Sequence, residues 1–197
     1  MVVPVMDADW SVELGADDPV LEFPWSSADG ALRYLDLRQR PEALMEIPEA
    51  RTDPVIAMLL REVNGQYSPW QTVKCNVWID HELSEAEAIY GGRSKLSCYV
   101  DLIARDQVTR FSFDRHEAWV RAAARAANSD DNTSCTAEFI VRRCWYHPEG
   151  ATDPDRMTAG FYVTLYVFGY GQSDAEARLR WTEGVRHVTP IVTRSNP

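Results

Sequence analysis

A chain of 197 residues, 45% hydrophobic and 25% charged, carries enough apolar surface to bury one sizeable core and has the mixture of a folded domain rather than a disordered one. Its net charge of −10 argues against broad binding to nucleic acids or anionic membranes, whose phosphates need a basic face. The apolar start Met1 to Met6 lacks a basic leader and runs at once into Asp7 and Asp9, and no apolar run is long enough to span a bilayer.

Cys75, Cys98, Cys135 and Cys144 show no CxxC spacing and sit in apolar, strand-like contexts. That pattern fits reduced, buried thiols in a cytoplasmic protein, with a Cys75–Cys98 bridge as the alternative.

In chain order, residues 10–14 and 20–23 read as short strands, and Pro24, Ser26, Ser27 and Gly30 as a loop. Leu32, Tyr34 and Leu35-Asp36-Leu37 give an ambiguous strand before a short helix that carries Leu44, Met45 and Ile47 inward. Asp53-Pro54 is a clear helix start, the carboxylate as N-cap and the proline at the first helical position. Ile56, Leu59, Leu60 and Val63 then share one helical face, and Asn64-Gly65 ends it.

From Gln71 the pattern is regular. Val73, Cys75, Val77 and Ile79 alternate with Lys74, Asn76, Trp78 and Asp80 as a half-buried strand. Residues 84–92 form a connection with room for a helical turn, and Leu96, Cys98, Val100 and Leu102 alternate in a second strand. Ser112 opens a helix whose inner face holds Trp119, Val120, Ala123 and Ala127. The order then repeats. A strand carries Ala137, Phe139 and Val141, an exposed loop spans 147–155, and Phe161, Val163, Leu165 and Val167 alternate with Tyr162, Thr164, Tyr166 and Phe168. Gly169 and Gly171 break that strand, Ser173 and Glu176 form a capping box, and Pro190 is expected to stop the last helix, with a short strand at 191–193.

The run Cys98-Tyr99-Val100-Asp101-Leu102-Ile103 echoes Phe161-Tyr162-Val163-Thr164-Leu165-Tyr166. The expected fold is therefore a single α+β domain over 1–197. An antiparallel sheet is built from two β-hairpin-helix units, 71–128 and 133–193, related as a pseudo-repeat with helices mainly on one face. Residues 1–70 form an extension of short strands and a helix packing on the sheet.

Such a sheet leaves a second face bearing Trp78, Asp80, Tyr99, Asp101, Glu138, Arg142, Tyr162, Tyr166 and Tyr170, aromatics with polar tips that suit interfaces and ligand clefts. Covered by residues 1–70, this face would be ordinary core. Left open, it is expected to serve a non-enzymatic module that self-associates as a homodimer through the face or a strand edge. The second hypothesis is a small-molecule-binding protein or enzyme with a cleft formed by Trp78, Tyr99, Asp101, Arg142, Tyr162 and Tyr166.

A metal hypothesis places His81 and His147 at matching strand ends, near Asp80 and Glu82, although no HxH, HxxxH or HExxH spacing supports it. Asp101 and Arg142 are expected to form a buried ion pair, and Cys144, beside Arg143 and near His147, is the candidate for a lowered thiol pKa. No GxSxG, P-loop or GxGxxG pattern is present, no catalytic residue is identified and no cofactor is called for.

Overall fold

The computed structural model describes residues 6–128, 135–148 and 157–194. The expected loop from residue 149 to 155, the apolar start before Met6, and residues 133 and 134 at the head of the second unit lie outside the described residues.

The chain is α+β, and among the described residues it has one mixed sheet of six strands. Strands β1 (Asp7–Glu13) and β2 (Val20–Phe23) precede a 3-10 turn at Pro41–Glu46 and helices α1 (Pro48–Thr52) and α2 (Pro54–Val63). Then come β3 (Trp70–Asp80), a 3-10 turn at Glu87–Tyr90, β4 (Ser94–Ala104), α3 (Gln107–Arg110) and α4 (Phe113–Ala127). Strands β5 (Cys135–Tyr146) and β6 (Thr158–Gly171) lead into α5 (Asp174–Arg194).

Across the sheet the order is β1-β5-β6-β4-β3, with β2 continuing the β1 edge of β5. The pairs β3–β4, β4–β6 and β5–β6 are antiparallel, whereas β1 and β2 run parallel to β5. The sheet is thus mixed, not purely antiparallel. The parallel strands come from the N-terminal segment, which reaches β5 without a hairpin and so is free of the antiparallel constraint a tight turn imposes.

Each half-buried strand puts its aliphatic row under the helices. Cys98 and Val100 face Val167 and Leu165 on β6, which in turn face Ala137 and Phe139 on β5. Helices α2, α4 and α5 cover this face, and their apolar stripes, including Leu59, Trp119, Val120, Trp181 and Val185, are buried with it in one cluster. Helix starts follow the caps read from sequence: Asp53 accepts from Val55 N and Ser112 from Arg115 N. Asp53 also receives Arg178 from α5 at 2.5 Å, tying α2 to the last helix.

Two local expectations fail. Pro190 does not stop α5, and residues 191–193 are helical rather than a strand. The buried row Ala177, Trp181, Val185, Val188 and Val192 runs straight past the proline, so packing outweighs its lost hydrogen bond. Residues 32–37 make no strand either. A tight turn joins Ser26 to Arg33 by an isolated bridge, with Gly30 in the left-handed region at φ 70°.

Candidate functional site: the second face of the sheet

The predicted second-face residues do share a face, but three different structures divide it. At one end Tyr162 is buried in a small cluster with Leu21, Val73, Ile103, Cys144 and Tyr146, and Phe23, Trp25 and Tyr34 pack over it. Trp25 is pinned there by donating from its indole nitrogen to Val73 O at 2.9 Å. At the other end Tyr170 is buried beneath Tyr90 of the second 3-10 turn, the rings stacked 4.4 Å apart.

Between these covers an aromatic strip stays half-exposed. Trp78 on β3, Tyr99 on β4, and Tyr166 and Phe168 on β6 succeed one another at ring separations of 6.3, 5.8 and 5.7 Å. Tyr99 and Tyr166 are direct cross-strand partners, and Glu138 on β5 lies next in that row. Cations flank the strip: the Arg142 guanidinium is 5.7 Å from the Tyr166 ring and the Lys95 ammonium 5.6 Å from that of Phe168. Lys95 is held by Glu87 at 2.6 Å and Asp80 at 3.5 Å. Burial works against the charge on Glu87, but hydrogen bonds from Lys95 and Ser84 outweigh it and bring its pKa down to about 2.

Beside the strip, on the same face, runs a buried polar chain. Arg142 forms a two-pronged ion pair with Glu13, at 2.8 Å through Nε and 2.7 Å through Nη2, and donates through Nη1 to the Thr164 hydroxyl at 2.9 Å. Thr164 in turn donates to Asp101 at 2.7 Å. The expected direct Asp101–Arg142 pair is therefore corrected. Asp101 on β4 and Arg142 on β5 stand two strands apart, with β6 and Thr164 between them. Burial pushes the Asp101 carboxyl up to about 6, against the pull of Thr164, Lys74 and Arg142. Tyr99 rises to about 12, first from burial and then from Asp101, and so is neutral at physiological pH.

Of the six predicted binding residues, Trp78, Tyr99 and Tyr166 belong to the half-exposed strip, whereas Asp101, Arg142 and Tyr162 are buried. A cleft of ≈ 670 Å³ opens beside them, bounded by residues 30–37, 46–49 and 72–76 and by Trp25, and it shares only Tyr99 with the predicted set. Its size falls within the range of small-molecule sites.

The metal candidates are not brought together. His81 follows the end of β3 near Gly171 and meets Asp174 at 2.9 Å, while His147 follows β5 at the far end of the sheet, 3.6 Å from Glu22. Two antiparallel hairpins packed through β4 and β6 put matching strand ends at opposite ends of the sheet, which is why the equivalence fails as a ligand pair. Among the described residues no three His, Cys, Asp or Glu side chains gather as a metal-binding group. Cys144 is likewise corrected: burial carries its thiol up to about 12, so it is not an activated thiolate.

Sequence reasoning missed Thr164, Phe168 and Glu13 as parts of this face. Strand parity signalled the first two. Glu13 had no signal, because only the parallel placement of β1 sets it opposite Arg142.

No protein-family model, curated protein or solved structure matches the chain. What fold and site define is a class: an α+β protein with one sheet face under helices and the other carrying a half-exposed aromatic strip. Among the described residues no helix is long and apolar enough to cross a membrane.

Proposed function

We propose that this chain is a non-enzymatic interaction module that self-associates through the open part of its sheet, the aromatic strip and the strand edge beside it. The observation that carries this is the strip itself, with Trp78, Tyr99, Tyr166 and Phe168 half-exposed on three adjacent strands while both flanks of the same face are covered. Amphipathic rings of this kind bury large areas at little entropic cost and are enriched at protein interfaces. The polar chain from Glu13 to Asp101 supports a structural part for the charged residues, since their hydrogen bonds are directed at one another.

The two hairpins read as related units. Val100 faces Leu165, and the residues in their places in the echo, Val163 and Leu102, face each other. A pseudo-twofold axis between β4 and β6 accounts for that register.

The test is mass in solution. The wild-type chain is expected at twice its 22.4 kDa by light scattering, and Trp78→Glu with Tyr166→Glu at the monomer mass with an unchanged circular dichroism spectrum. The second reading, small-molecule binding, is favoured by the ≈ 670 Å³ cleft that borders Tyr99. A wild-type chain that remains monomeric at all concentrations would overturn self-association and leave the cleft as the better-supported site.

A further inference from the structure

We propose that two copies of this chain join edge to edge through residues 74–80 of β3, as antiparallel strands related by a twofold axis at Val77. The proposal rests on the reading of the chain as a self-associating module and names the contact that performs it.

The two edges of the sheet differ. On the β1 edge, Asn128 occupies both backbone groups of Ala8, accepting from its N–H at 2.9 Å and donating to its carbonyl at 2.6 Å. On the β3 edge, protection by groups from elsewhere in the chain is confined, among the described residues, to the first half. Trp25 takes Val73 O, Asn64 accepts from Thr72 N at 3.1 Å, and the ladder to β4 shifts register between Thr72 and Cys75. Bulges and capping side chains of this kind block strand addition. From Cys75 to Asp80 the ladder to β4 is regular, and the cap found on its outer side among the described residues is a local one, the Asn76 side chain on the N–H of its neighbour Val77, which an incoming strand can displace.

The Val77 N–H shows which groups point outward. It donates to its neighbour Asn76 Oδ1 at 2.8 Å rather than to β4. By strand parity Cys75, Val77 and Ile79 therefore present their backbone groups to the free side. A twofold partner must pair outward groups with outward groups, which requires the axis to pass through a residue rather than between two.

The axis at Val77 is selected by the side chains. It sets Lys74 opposite Asp80 of the second copy, Asn76 opposite Trp78, and Cys75 opposite Ile79, whose side chain is exposed (39%) beside the half-buried Cys75 and Val77. Each residue thus meets a partner of fitting chemistry, twice over, as an isologous contact demands. The same operation on β1 would set Asp7 against Glu13, like charges face to face. Because the axis stands perpendicular to the sheet, the two aromatic strips fall on the same side of the joined sheet.

The experiment combines a backbone change with a thiol trap in the full-length chain. Val77→Pro removes the outward donor, which β4 does not use, and is expected to give a monomer by light scattering with an unchanged circular dichroism spectrum. Ile79→Cys, oxidised with copper phenanthroline, is expected to link to the native Cys75 of the second copy and run at twice the monomer mass on a non-reducing gel. Adding Cys75→Ser should abolish that band, and Val77→Cys should cross-link to itself. A dimer that survives Val77→Pro and gives no link from Ile79→Cys would overturn the edge contact while leaving self-association through the aromatic face standing. If Val77→Pro fails to fold, the thiol trap alone decides. A monomeric wild type would overturn both.

Discussion

Asp101 is the residue whose environment has the clearest thermodynamic consequence. Its carboxyl titrates near 3.8 in an unpaired chain and at about 6 in the fold, because burial disfavours the charged form more than Thr164, Lys74 and Arg142 favour it. The folded state therefore binds the proton more tightly. The stability this confers is complete below about pH 4 and is lost as pH rises through about 6. The gap corresponds to about 2–3 kcal/mol. Asp101→Asn is uncharged throughout, so urea unfolding should show it gaining about that much relative to wild type between pH 4 and pH 8. Parallel stability curves for the two proteins would show that Asp101 is solvated well enough to ionise freely. Arg142 stands on the other side of the balance, since its pairing with Glu13 and Thr164 is what makes a buried guanidinium tolerable.

Among the elements, α5 is the one the sheet must accommodate most closely. It lies on β6 where Gly169 faces it, and a Cβ there would press on Trp181 N and stand 2.5 Å from Ala177 O. Both are backbone atoms of the helix, so nothing flexible can yield. Gly184 serves the same approach from the helix side, directly over Cys135 Sγ. Gly169→Ala should cost at least about 3 kcal/mol, the upper range for overpacking, seen as a lowered urea midpoint at unchanged slope. Gly30→Ala is the contrast. Nothing lies within 4 Å of its Cβ position, and only its positive φ opposes the change, for a loss of about 1 kcal/mol. Equal losses at the two sites would show that close approach is not what Gly169 provides.

For the whole molecule, the N-terminal segment does three things at once. Its strands extend the sheet along β5, its helices α1 and α2 join the core beneath the sheet, and Phe23, Trp25 and Tyr34 close one half of the second face. The aromatic strip is open because this cover stops short of it. Trp25→Ala with Tyr34→Ala should leave the fold intact while costing about 2–4 kcal/mol and increasing binding of an apolar dye, as the cluster around Tyr162 meets water. A loss of cooperative unfolding would instead mean that the cover is needed for the sheet to form at all.

The local pattern was enough to determine the α+β class, the alternation of β4 to β6 and of β3 from Cys75 onward, the caps at Asp53 and Ser112, and the sharing of one face by Trp78, Tyr99, Tyr162 and Tyr166. Each depends on side-chain period or on backbone groups a few residues away, so the information sits where the effect does. Val73, expected in one row with Cys75, joins the second face instead, because the ladder shifts register between Thr72 and Cys75. The continuation of α5 through Pro190 was not legible, because the burial of Val188 and Val192 that compensates for the proline is a tertiary quantity. Tertiary structure alone also decided that β1 and β2 run parallel to β5, that Thr164 stands between Asp101 and Arg142, that His81 and His147 part to opposite ends, and which tyrosines are covered. Strand order and register bring together residues more than a hundred positions apart, as with Glu13 and Arg142, and no periodicity within either strand records the other's position.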